Sequence, residues 1–114
     1  MKALKNLTSL KEVVKIYVPS TYNVDQKIDN KKFVEGIESG LSNLFGGSTT
    51  IEANGAYLSN NGFLVTEKIN IVYAFCENLD NEKIDSVLTL CEWLKKEMKQ
   101  ECISLEVNNE LYFV

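Results

Sequence analysis

The chain has 114 residues, 45% of them hydrophobic and 25% charged, with a net charge of −4, the make-up of one small globular domain with enough apolar side chain to bury a core. It has no histidine, and its twelve basic residues are all lysine, which removes the commonest neutral-pH base and metal ligand and the planar fork that grips phosphates and guanine edges. The acidic balance disfavours nucleic acid as a partner, no apolar run approaches the roughly 18 residues of a membrane span, and the stretch Met1–Leu7 lacks the pattern of a signal peptide, so a cytoplasmic protein without a membrane partner is expected.

Residues 1–12 read as a lysine-bearing polar arm and residues 13–114 as a single α+β domain. Val13 to Val18 are rich in β-branched and aromatic types and predict a strand, which Pro19 ends. A long connection runs from Ser20 to Ile28. Asp29 or Asn30 then caps a helix whose apolar face is Phe33, Val34, Ile37, Leu41, Leu44 and Phe45, closed by Gly46-Gly47. Gly36 and Gly40 lie inside it, each at a cost of about 1 kcal/mol against alanine, which predicts close approach to the sheet beneath.

Residues 49–58 and 63–76 predict two strands joined through Asn60-Asn61-Gly62, a hairpin signal. On the second, Phe63, Val65, Ile69, Ile71, Tyr73 and Phe75 share one parity, interrupted by Glu67. Thr66, Lys68 and Asn70 take the other, so the apolar row is expected in the core. Asp80 caps a second helix with a stripe of Ile84, Val87, Leu88, Cys91, Leu94 and Met98. Lysines gather in its last turns, where the helix dipole favours them. A strand over 102–107 follows, and Asn108-Asn109 turns the chain into a short final strand. The order strand, helix, strand, strand, helix, strand predicts a ferredoxin-like βαββαβ sandwich. Both helices would lie on one face of an antiparallel sheet, with the last residues as an extra edge strand.

Two surfaces could carry function in that topology. The first is a loop rim of Tyr22, Asn23, Asp25, Asn60 and Asn61, where scaffold-held loops gather at one end of the sheet. The second is the helix-free sheet face, assigned Lys15, Tyr17, Glu52, Asn54, Thr66, Lys68 and Asn70, with Ser104 and Glu106 beside them. Carboxylates such as Glu52 and Glu67 lack a recognisable proton-transfer partner. Cys76, Cys91 and Cys102 are too far apart in sequence for a metal knuckle. No glycine-rich phosphate loop precedes a helix. No catalytic residue, cofactor or metal is therefore expected.

Three stretches, Val14-Lys15-Ile16-Tyr17-Val18-Pro19-Ser20-Thr21, Leu44-Phe45-Gly46-Gly47-Ser48-Thr49 and Cys91 to Glu101, together with Ser104 to Asn108, resemble short accessory proteins of plasmids, phages and transposons of low-GC Gram-positive bacteria. The resemblance implies a mobile-element protein of the anti-defence kind, anti-CRISPR proteins among them. The expectation is a non-catalytic protein that binds a host protein, such as a defence nuclease, and inhibits it. The alternative is a homodimer whose sheets enclose a small-molecule pocket, with weak enzymatic activity.

Overall fold

The structure is a computed structural model that describes residues 1–23 and 25–114. A 3-10 turn (Lys2–Leu4) precedes β1 (Glu12–Pro19). A two-stranded ribbon of β2 (Thr21–Tyr22) and β3 (Gln26–Lys27) leads to helix α1 (Lys31–Phe45). Then come β4 (Thr49–Leu58), β5 (Leu64–Cys76), helix α2 (Asn81–Met98), β6 (Ser104–Val107) and β7 (Glu110–Phe113). The main sheet is antiparallel in the order β4-β5-β1-β6-β7. The first four of these strands have the ferredoxin-like order, and β7 is the expected edge strand.

Local chemistry sets the element ends. The Asp80 carboxylate accepts the Lys83 N–H at 2.9 Å and caps α2. Gly46, at φ +92°, closes α1 in the left-handed conformation, its N–H reaching Ser42 O, where a Cβ would be strained. At the start of α1 the two candidate caps divide the work. Asp29 accepts the Lys31 N–H at 3.1 Å, while the Asn30 amide donates to Pro19 O and Asn70 Oδ1, tying the helix to β1 and β5. Asn108 and Asn109 both take positive φ, which asparagine tolerates, and make the β6–β7 turn.

The core lies between the sheet and the two helices. Val14, Ile16 and Val18 of the central strand meet Ile37 and Leu41 of α1, and Val87, Cys91, Leu94 and Met98 of α2, all buried. Gly36 and Gly40 face α2 and not the sheet, correcting the expected contact. A Cβ would lie 2.6 Å from the Trp93 ring at Gly36 and 2.5 Å from Leu90 Cδ2 at Gly40. The glycines are what let the two helices approach.

The two faces of β4 and β5 are the reverse of those expected. Val14, Ile16 and Val18 face the helices, and the register places Ala74, Val72 and Asn70 beside them. Val65, Ile69, Ile71, Tyr73 and Phe75 therefore lie on the helix-free face, while Thr66, Lys68 and Asn70 point to the helix side. The physical reason is that the helices reach only the far half of β5, where Val72, Ala74 and Cys76 are buried. Closer to the turn, the helix-side parity is polar because nothing covers it.

Candidate active site

The β4–β5 hairpin outruns the rest of the sheet. Pro19, the last residue of β1, pairs with Ile69, and Leu64 to Lys68 pair with β4 beyond it. At roughly 3.3 Å per residue the turn is carried about 17 Å past the end of β1, which stretches the molecule to 52 × 28 × 23 Å. The loop rim expected from sequence is thereby divided. Tyr22 and Asn23 pack at the end of α2, where the Asn23 N–H donates to Met98 O at 2.9 Å and the Lys99 ammonium lies 5.5 Å from the Tyr22 ring centroid. Asp25 is exposed in the turn of the β2–β3 ribbon. Asn60 and Asn61 lie at the far hairpin tip and do not join them.

The second predicted set is divided as well, between opposite faces. Lys15 and Tyr17 lie on the open face. Glu52, Asn54, Thr66, Lys68 and Asn70 lie on the helix side and line neighbouring grooves of about 460 and 640 Å³ under the Ser20–Asn30 connection. Those grooves mix Lys27 and Lys68 with Asp29 and Glu52.

The open face holds a more distinctive constellation at the hairpin base. A trough of about 180 Å³ crosses four strands, lined by Tyr17, Gly55, Glu67, Ile69, Gln100 and Ser104 among others. Glu67 pairs directly with Gly55, so no side chain stands opposite its carboxylate. A Cβ at Gly55 would first meet Glu67 Cγ, at 3.8 Å. Burial pushes the Glu67 carboxyl above its ordinary pKa, because desolvation penalises the charged form and no cation offsets it. Tyr57, exposed, stands on the same face diagonal to Glu67, within reach of an aromatic side chain.

The floor of the trough is held by a small polar network. The Tyr17 hydroxyl donates to Glu106 Oε1 at 2.9 Å, and Lys15 Nζ lies 3.4 Å from Glu106 Oε2. Burial, then the hydrogen bond and charge of Glu106, raise the Tyr17 pKa and keep it a neutral phenol. At the rim, Gln100 Nε2 donates to Thr21 O at 2.9 Å and Met98 O at 3.2 Å, which locks the turn after α2 against the β2–β3 ribbon. Two of the three cysteines are disfavoured as nucleophiles. Burial pushes the Cys91 thiol up to about 12 and raises that of Cys76 as well, so neither supplies a thiolate. Among the described residues no group of three or more acidic or cysteine side chains converges as a metal site.

The sequence contained one signal of this trough. Glu67 is the charged residue that interrupts the apolar row of β5. Its partner Gly55 could not be identified without the register, because only the pairing places a glycine opposite it.

No family model and no curated protein matches the chain by sequence. Solved structures do match by fold. A phage SAM lyase in complex with S-methyl-5′-thioadenosine is 17% identical with a TM-score of 0.69, over 97% of this chain and 94% of that one. A phage SAM lyase in the apo state is 18% identical with a TM-score of 0.66, over 96% and 93%. Identity at this level establishes shared fold. The likeness corrects the expectation of a non-catalytic inhibitor without enzymatic activity, because the fold found almost end to end is that of an enzyme. No helix among the described residues is long and apolar enough to cross a membrane.

Proposed function

We propose that the chain is a lyase acting on S-adenosylmethionine, which breaks the bond between the sulfonium sulfur and the γ-carbon of the amino-acid arm and releases S-methyl-5′-thioadenosine. The observation that carries the reading is the likeness to phage SAM lyase over 97% of the chain. The partly buried carboxylate of the trough supports it. A mobile-element origin, implied by the sequence resemblance, fits neighbours that are phage proteins.

The bonding pair leaves with sulfur, which becomes a neutral thioether. With water kept away, the γ-carbon takes its new bond from the substrate's own α-carboxylate and closes a five-membered lactone. Atoms and charge balance with no proton taken up or released. Such a closure draws on effective molarities of roughly 10⁵–10⁸ M and requires neither acid nor base, so a chain without histidine can perform it. It also annihilates a carboxylate against a sulfonium, which a poorly hydrated apolar surface favours.

The roles follow from placement. Glu67 accepts hydrogen bonds from the α-ammonium and holds the arm folded back on itself. Tyr57 offers its π-face to the sulfonium. Tyr17, fixed by Glu106, shapes the floor, and Gly55 leaves the space in which the arm lies.

The test is chromatography of S-adenosylmethionine incubated with the purified protein in ¹⁸O-water. Thioether release with an unlabelled lactone at early times supports the reading. Labelled homoserine as the first product would replace lactone closure by hydrolysis, and the absence of any thioether would remove the activity.

A further inference from the structure

The grooves on the helix side of the hairpin have no part in the trough chemistry. Those of about 460 and 640 Å³ share Ser20, Ile28, Asn54 and Lys68 and so run into one another, with volumes in the roughly 300–1,000 Å³ range of small-molecule sites. Their floor is the β4–β5 ladder, where Glu52 pairs with Asn70 and Asn54 with Lys68. The roof is tied down at three points. The Ile28 N–H donates to Ser20 O at 2.9 Å, and the Asn30 amide donates to Pro19 O at 3.0 Å and to Asn70 Oδ1 at 2.9 Å. A ligand therefore meets walls that are already in place, which lowers the ordering cost of binding.

The charges are sorted along this groove. Lys27 lines the larger end, Asp29 and Glu52 line the smaller, and Lys68 stands where the two meet. Glu67 borders the larger end, but its carboxyl belongs to the opposite face of β5 and leaves that end cationic. Glu52 and Lys68 are diagonal neighbours across the two strands, with stems roughly 7–8 Å apart. Among the described residues the ion pairs join Lys15 to Glu106, Lys31 to Glu35 and Lys95 to Glu92, so all four groove charges are open to a ligand. We infer that the groove binds a small zwitterion whose carboxylate and ammonium are separated by a short apolar chain, the chemistry of ω-amino acids and of basic α-amino acids. The carboxylate meets Lys27 and Lys68, the ammonium meets Asp29 and Glu52, and each end gains charge-assisted hydrogen bonds. The spacer crosses Ile28, which lines both halves and supplies the apolar contact. A ligand with one charge leaves half of the groove unanswered, and one with adjacent charges does not reach both ends. The groove and the trough lie on opposite faces of the hairpin, so this inference stands apart from the lyase reading.

The experiment is a proton–nitrogen NMR titration of the wild type with δ-aminovalerate, and in parallel with valerate, n-pentylamine and glycine. The four charged side chains belong to exposed residues, where ion pairing is weak, so an affinity in roughly the millimolar range is expected. Saturable shifts should appear at the amide signals of Ser20, Asn54 and Lys68, while those of Lys15 and Ser104 on the open face stay in place. Each of the other three compounds is expected to bind at least tenfold more weakly. Lys68→Met and Glu52→Gln are each expected to lower the affinity for δ-aminovalerate at least tenfold, with the rest of the spectrum superimposable on that of the wild type. The absence of saturable shifts with δ-aminovalerate overturns the inference. Valerate, n-pentylamine or glycine bound within twofold of it overturns the pairing of two separated charges. Shifts confined to Lys15, Tyr17 and Ser104, or an affinity unchanged in both variants, overturn the assignment to this groove.

Discussion

Replacing Glu67 by glutamine separates a binding role from a structural one. Glutamine keeps the shape of the side chain and loses its charge, so the α-ammonium exchanges a charge-assisted hydrogen bond for a neutral one. That bond contributes about 1.5–3 kcal/mol, which at roughly 1.4 kcal/mol per decade is roughly a 10- to 150-fold fall in kcat/KM. The ammonium keeps its charge through the reaction, so most of the loss is expected in KM. Stability moves the other way. Burial raises the Glu67 pKa in the folded chain. Its contribution is therefore fully present below the ordinary value of about 4.3 and is lost as pH rises through the folded value. Above that folded value Glu67 is ionised at a cost that glutamine does not carry, and there Glu67→Gln is expected to melt at or above the wild-type temperature. In the wild type, activity falls as pH drops through the raised carboxyl value, and the variant lacks that limb. The assays are thioether release against substrate concentration and pH, with thermal melting of the same preparations. Activity within twofold of wild type, or a loss accompanied by a lower melting temperature, would refute the reasoning.

Gly55→Val leaves the fold intact, since a Cβ there meets nothing closer than 3.8 Å and strands favour valine, but fills the trough; at least a tenfold loss of thioether release with an unchanged circular-dichroism melt is expected. Leu94→Ala, at a fully buried position of α2, costs about 2–5 kcal/mol of stability in urea unfolding. Asp80→Ala removes the carboxylate that accepts the Lys83 N–H and costs about 1 kcal/mol in the same assay.

The βαββαβ order was legible because its punctuation is local. Asp80 before an apolar stripe, Gly46 after one, and Asn108-Asn109 between two short strands each state a backbone geometry in a few residues. The facing of β5 was not legible. Parity groups Val65, Ile69, Ile71, Tyr73 and Phe75 correctly, but apolar content assigns them to the chain's own core, whereas Val72, Ala74 and Cys76 hold that position. An apolar row inside the fold and one on the helix-free face read alike in sequence. The same inversion displaced Glu52, Asn54, Thr66, Lys68 and Asn70 from the face of Lys15 and Tyr17. The β2–β3 ribbon was missed because two-residue strands carry no periodicity. The expectation of no enzymatic activity leaned on the absence of histidine and of a nucleophile motif, and a substrate that supplies its own nucleophile needs neither.

The most direct measurement is proton NMR of S-adenosylmethionine with the wild-type protein and, in parallel, with Glu67→Gln. Lyase activity predicts that the sulfonium methyl signal is replaced by a thioether methyl signal, at a rate at least tenfold lower for the variant at subsaturating substrate. A sulfonium signal that persists unchanged beside stoichiometric wild-type protein would contradict it.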